Sequence, residues 1–290
     1  MRVVVNMACG LANRMFQYGY YLYLDKMGYN VCVDYYTTAK LKHEKVDWAR
    51  IFPAAAFEVA PKSLVFRLGG GGDLISRVRR RFIPFTVKVK NKPSAFAADL
   101  PVDEGNDIYI LGVFQNARMI NSVRTEILKA FVFSPMDGGK NQELFAELKE
   151  CESVAIHIRK GSDYQSRIWY HNTCPVEYYR KAVDEICARI NHPKFYVFAD
   201  NPQWVRDNMG WLDYKLIDHN PSSGWGSHFD MQLMSRCRYN IISNSTYSWW
   251  AAFLNNNDDK IVVMPEEWFN PESCNQHTSM PLLVPGWIPV

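Results

Sequence analysis

Apolar positions along this chain fall into short runs that alternate with stretches at helical spacing. Val3-Val4-Val5 is a β-branched run that predicts a strand, and a polar loop containing Gly10 follows it up to Asn13. Met15, Phe16, Tyr20, Tyr23, Leu24 and Met27 then keep rough helical spacing as far as Gly28, a natural stop signal. Val31-Cys32-Val33 restarts a strand before Asp34. The loop of this strand-loop-helix-strand opening could set backbone N–H groups against an anion, although Gly10 reads equally well as an ordinary turn glycine.

Residues 37–105 are the least regular part, with Gly69-Gly70-Gly71-Gly72 as a hinge or loop. A strand is expected over 107–112, and helices over 121–131 and 142–149, with Pro135, Gly138 and Gly139 as breakers between them. From Ser153 the alternation becomes cleaner. Strands are expected at 153–158, 194–199, 215–218, 239–242 and 261–264, with helices after Pro175, Pro202, His228 and Ser245. This predicts an α/β chain with a domain boundary near residue 150, dividing 1–150 from 151–290, and a doubly wound parallel sheet in the second part.

Composition narrows the class. With 290 residues, 48% hydrophobic and 22% charged, two medium cores are expected. A net charge of +3 gives no argument for nucleic acid as a partner. Seven cysteines without metal-type spacing read as reduced thiols. With no signal-like N-terminal segment and no apolar run that spans a bilayer, the expected location is the cytoplasm. Arg77, Arg79, Arg80, Arg81, Lys88, Lys90 and Lys92 form a basic block. It reads either as a solvated surface or as a patch that meets a phosphate-bearing acceptor or, through Arg77–Arg81, anionic lipid headgroups at the inner face of a membrane.

The candidate chemistry gathers at strand ends. His157 and Arg159 follow each other at period two, so both point into one space, and a guanidinium is well shaped for a phosphate. A core histidine, and an Arg159–Asp163 ion pair, are the plain alternatives. Asp200 ends a strand where a carboxylate could accept from ribose hydroxyls, and Asp230 could accept from a guanine edge; either could instead be a helix cap. Ser243-Asn244-Ser245-Thr246 opens a helix and offers a phosphate seat. Trp48, Trp169 and Trp225 could stack on sugar faces, or pack in core and loops. With no Asp-x-Asp triplet, a metal clamp on a diphosphate is not expected, and P-loop and serine-hydrolase signatures are absent as well.

Five segments carry a family resemblance: 10–18, 157–164, 198–202, 230–235 and 243–252, the last reading Ser-Asn-Ser-Thr-Tyr-Ser-Trp-Trp-Ala-Ala. Together they resemble the bacterial α-1,2-fucosyltransferases of glycosyltransferase family 11. Lys160 and the added Ser162 depart from that family's usual His-x-Arg-Arg-Gly-Asp-Tyr. The resemblance implies a GT-B-type fold, two Rossmann-like domains facing a cleft, with 1–150 on the acceptor side and 151–290 binding the donor. It implies GDP-fucose as co-substrate, inversion, no metal or other cofactor, and a galactose-containing oligosaccharide or lipid-linked glycan as acceptor. By the same analogy His157 and Asp230 would hold guanine and Asp200 the ribose. Arg159, Ser245 and Thr246 would meet the diphosphate, and Gly10 and Lys160 are counted among the donor-binding residues. Asn13 would approach the fucose and scissile bond, and Asp163 is the candidate base. A related transferase with another linkage or 6-deoxyhexose donor, or a non-catalytic nucleotide- or sugar-binding protein, are the alternatives.

Overall fold

The computed structural model describes residues 1–36, 47–70, 74–79, 81–82, 86–88, 106–136, 139–273 and 280–290, with backbone only at 76, 77, 86–88 and 163. Gly71, Gly72, Arg80, Lys90, Lys92 and the side chains of Arg77, Lys88 and Asp163 therefore lie outside the described residues. The chain divides into two compact units, Met1–Ser134 and Pro135–Val290.

In the first unit, strands β1 (Arg2–Asn6), β2 (Asn30–Asp34), β3 (Thr86–Lys88) and β4 (Ile108–Leu111) form a parallel sheet in the order β2-β1-β4-β3. Helix α1 (Leu11–Lys26) connects β1 to β2, and it stops where Gly28 takes a φ of +85°, a left-handed conformation that glycine adopts without strain. Shorter helices α2 (Lys62–Arg67), α3 (Leu74–Arg79), α4 (Ala117–Ser122) and α5 (Arg124–Ala130) come after it. Val4, Cys32 and Tyr109 of the sheet pack against Leu64, Val65 and Leu68. Trp48 belongs to this unit's interior rather than to a sugar platform: it is buried against Tyr18, Phe52 and Phe131.

The second unit begins with α6 (Lys140–Lys149), ahead of the boundary expected near 150. Side-chain chemistry ties this helix to the second sheet. Glu147 accepts from Tyr196 Oη at 3.0 Å and pairs with Lys215, and Ser153 Oγ donates to the Leu148 carbonyl at 2.7 Å. Strands β5 (Ser153–Ile158), β6 (Lys194–Ala199), β7 (Tyr214–Ile217), β8 (Tyr239–Ile241), β9 (Val262–Met264) and β10 (Ile288–Pro289) form one parallel sheet in the order β10-β9-β8-β5-β6-β7. Strand β5 is buried along its whole length, as expected for the centre of a sheet covered on both faces. From it the chain winds outward to β7, then returns to the other side through β8, so the order reverses between β5 and β8.

Four helices of this unit carry or support the candidate chemistry: α7 (Ser162–Gln165), α8 (Val176–Cys187), α9 (Phe229–Met234) and α10 (Thr246–Leu254). Helix α8 turns Tyr178, Tyr179, Ala182, Val183 and Ile186 onto the sheet. Helix α10 is apolar on every side and buried from Ser248 to Leu254, which is what such a sequence requires. Trp249 stacks on Phe253 at 5.0 Å and donates its indole N–H to the Leu282 carbonyl at 2.8 Å. That anchoring fixes where the N-terminus of α10 lies.

Candidate active site

In open parallel sheets, ligands bind beyond the carboxyl ends of strands where the strand order reverses. In the second unit that place is the end of β5 beside the end of β8. His157, next to last on β5, shares a hydrogen bond of 2.8 Å between Nδ1 and Ser243 Oγ, just past β8. Burial, with the Arg159 cation nearby, drives the imidazole pKa down to about 3, so His157 is neutral at physiological pH.

Arg159, two residues on, turns toward the other neighbour of β5. Its guanidinium pairs with Asp200, at the end of β6, and lies 5.2 Å over the Tyr164 ring. Whether Asp163 also pairs with Arg159 lies outside the described side chains. Asp200 also accepts from the backbone N–H groups of Lys160, at 2.7 Å, and Gly161, at 2.9 Å. This carboxylate, expected at a ribose, staples the turn after β5 to β6. Asn201 takes the capping role at the next helix, accepting from Trp204 N. Lys160 buries its ammonium against the Thr173 carbonyl at 2.7 Å, and desolvation lowers its pKa. With Asn172, Glu177 and Trp204 it lines a cavity of about 400 Å³.

The β8 side is built around the N-terminus of α10. Ser245 is the N-cap residue, with its hydroxyl accepting from Tyr247 N at 3.3 Å; Thr246 is the first helical residue. Tyr164 Oη donates to the Asn244 carbonyl at 2.6 Å, and Asn244 Nδ2 donates to the Trp268 carbonyl at 2.9 Å, so both flanks of the segment are held. Four backbone N–H groups at a helix start, with the positive end of the dipole, suit an anion.

Asp230 lies in the first turn of α9 and is not the cap; His228 occupies that position. Its carboxylate accepts from Asn220 Nδ2 at 2.7 Å, and burial raises its pKa to about 6. Tyr247 joins it to the rest. The Tyr247 ring lies 5.7 Å from His157, and its hydroxyl accepts from Met231 N at 2.8 Å while donating to the Ser227 carbonyl at 2.6 Å. Tyr247, Tyr164 and Asn220 are site residues that sequence reasoning did not single out. The first two stand inside segments it had marked, which was the available signal; Asn220 had none.

The first unit places Gly10 and Asn13 at its own reversal point, between β1 and β4. Gly10 is extended and caps α1 without a side chain. Cys9 before it has a φ of +75°, unusual for a residue with a side chain, and its carbonyl accepts from the buried Arg14 Nε at 2.7 Å. Asn13 Oδ1 accepts from Gln115 Nε2 at 3.0 Å, so the loops after β1 and β4 are joined. Beneath them the buried Tyr109 hydroxyl donates to Asp34 at 2.6 Å and accepts from Asn6 at 2.9 Å. Of the two tryptophans still open to a sugar-stacking reading, Trp169 is exposed, and Trp225 packs its ring on His228 at 5.0 Å.

Known proteins share sequence and fold with this chain. The family model "Glycosyl transferase family 11" matches residues 101–289, and the chain belongs to that family. It is 27% identical to an alpha-1,2-colitosyltransferase of Escherichia coli, with 96% of each chain covered. It is 29% identical to the O-antigen biosynthesis glycosyltransferase WbnK of the same organism, covering 83% of this chain and 77% of that one. Galactoside alpha-(1,2)-fucosyltransferase 2 of Mus musculus is 26% identical over 47% of this chain and 41% of its own. Among solved structures, the fucosyltransferase NodZ from Bradyrhizobium superposes with a TM-score of 0.50 at 15% identity, covering 87% of this chain and 93% of that one, a likeness in fold. The fold class is GT-B-type α/β, and the protein is a glycosyltransferase.

Proposed function

We propose that the protein transfers L-fucose from GDP-fucose to the 2-hydroxyl of a galactose-type residue in a glycan, with inversion and without a metal ion. One observation carries this reading. A neutral His157, the Arg159–Asp200 pair and the N-terminus of α10 meet at the reversal point of the second sheet, in a chain whose family includes α-(1,2)-fucosyltransferases. In this reading the second unit binds the donor and the first serves the acceptor. His157 and Asp230 hold the guanine, and Asp200, which also fixes Arg159 and the turn through Lys160, meets the ribose. Arg159, Ser245 and Thr246 receive the diphosphate. As the fucosyl bond breaks, negative charge grows on that leaving group, and preorganised donors stabilise it most in the transition state. Asp163 takes the acceptor proton, and Asn13, beside Gly10, orients the fucose.

Asp230 makes the reading sensitive to pH. A carboxylate accepts from the guanine N1–H and exocyclic amine, and protonation removes that capacity. With a pKa of about 6, donor KM should rise as pH falls below 6 while kcat changes less.

The deciding experiment is GDP release from GDP-fucose with lactose-type and N-acetyllactosamine-type acceptors, in buffer with EDTA. Wild-type protein should turn over in EDTA. Arg159→Ala should keep the fold and lose on the order of a hundredfold or more in kcat, the usual cost of removing one such donor. Near-normal turnover by that variant, or a strict need for added metal, sinks the assignment. The colitosyltransferase relative, matched along nearly the whole chain, favours a second reading in which another deoxyhexose is transferred. A donor panel with linkage analysis of the product separates the two. GDP binding with neither transfer nor donor hydrolysis would point to a binding protein instead.

A further inference from the structure

The net charge of +3 conceals a strong asymmetry. Residues 61–92 carry nine Lys and Arg against a single acid, Asp73, whereas the rest of the chain holds 24 basic and 29 acidic residues. The whole excess of positive charge thus resides in one segment of the first unit. That segment also exposes large apolar side chains. Leu74, Ile75 and Val78 of α3, Phe82 in the turn after it and Phe66 of α2 are all at least half exposed, from 50% for Val78 to 81% for Phe82. Leu74 and Val78 lie one helical turn apart on the same face of α3. Arg79 sits 3.9 Å over the Phe66 ring, which joins α2 and α3 into one surface.

Exposed apolar residues at this density cost hydration free energy unless something covers them. We propose that this surface docks on an anionic lipid bilayer. The arginines would meet phosphate headgroups while Leu74, Ile75, Val78 and Phe82 enter the boundary between headgroups and acyl chains, the arrangement of interfacial helices. Charge decides against the other occupants. A second copy would bring two strongly positive surfaces together, and for a polynucleotide the three aliphatic side chains Leu74, Ile75 and Val78 offer no stacking face while Arg79 already covers the Phe66 ring. The contact is peripheral: no helix among the described residues is long and apolar enough to cross a membrane. The proposal does not depend on which sugar is transferred.

Co-flotation of the intact protein with vesicles tests it. Phosphatidylcholine vesicles with about one third phosphatidylglycerol should carry the protein up at about 0.1 M salt, and pure phosphatidylcholine vesicles should not. Arg79→Gln with Arg81→Gln should lower partitioning about 25-fold, roughly fivefold for each charge withdrawn. Leu74→Ser with Ile75→Ser and Phe82→Ser should lower it at least about tenfold. Apart from Arg79, which is half-buried over Phe66, the variants change solvent-exposed side chains, and both should keep the wild-type donor hydrolysis and a melting temperature close to that of wild type. Equal partitioning onto neutral and anionic vesicles, no partitioning at all, or variants that float like wild type would each overturn the proposal. So would a dimer in sedimentation velocity that the apolar variant dissociates.

Discussion

His157 and Asp230 are both driven by burial toward their neutral forms, which moves their proton affinities in opposite directions. For His157 the folded pKa, about 3, lies below the ordinary value of 6.5. Its contribution to stability is complete above pH 6.5 and is lost as pH falls toward 3, because the unfolded chain binds a proton that the folded one refuses. For Asp230 the folded pKa, about 6, lies above the ordinary 3.8. Its contribution is complete below pH 3.8 and is lost as pH rises through 6. Between about pH 4 and 6 the two slopes oppose, each at up to about 1.4 kcal/mol per pH unit. Urea titrations across that window should therefore show Asp230→Asn gaining a slope in which stability rises with pH. His157→Gln should gain the reverse slope. Parallel curves for wild type and both variants would mean that neither group is titrating as its surroundings demand. Asp200 offers a third test at this scale. Asp200→Asn removes the carboxylate charge that pairs with Arg159 and weakens the acceptors for Lys160 N and Gly161 N. If it is a positioning residue, kcat should fall while Asp200→Glu restores part of it, and the guanine-dependent KM profile should stay as in wild type.

Among the elements, α10 has the clearest division of labour: a buried apolar body and a polar first turn. Because Trp249 is fully buried, stacked on Phe253 and bonded to the Leu282 carbonyl, Trp249→Ala should cost about 3–5 kcal/mol, seen as a lowered denaturation midpoint. Thr246→Ala, at the half-buried first turn, should change stability little and donor KM more. The motif spanning this helix was legible in the sequence because apolarity on every side admits one solution, burial. The strands of the second sheet were legible within a residue or two for the same reason: Val154, Ile156 and Ile158, like Phe195 and Val197, are runs that only a two-sided sheet can bury. What escaped notice was set by tertiary pairing. Strand β3 carries Thr86, Val87 and Lys88, too short and mixed to announce itself, and it exists through its register with Tyr109–Leu111. Strand β10 is a two-residue pairing with β9. The Arg159–Asp200 pair spans 41 residues of sequence, a separation that no local pattern along the chain announces.

At the scale of the whole molecule, two units each hold a parallel sheet, and each sheet has a reversal point occupied by residues marked from the sequence. Helix α6 belongs with the second unit because Glu147, Leu148 and Ser153 bind it there, although its weak amphipathic pattern alone gave no reason to place it past the boundary. The division of work proposed between the units has a direct thermodynamic consequence. A ligand that binds only the native form of one unit adds to that unit's stability by mass action, about 2.7 kcal/mol at a hundred times its dissociation constant. GDP should therefore slow amide exchange throughout Pro135–Val290, most strongly at the ends of β5 and β8 and the first turn of α10. Exchange in the β1–β4 sheet core of Met1–Ser134 should change far less. A free acceptor sugar added without GDP should slow exchange first around Cys9–Asn13 and Gln115. If GDP instead protects the loop after β1 as strongly as the loop after β8, the donor is not the business of the second unit alone, and the assignment of Gly10 and Asn13 to the acceptor side fails with it.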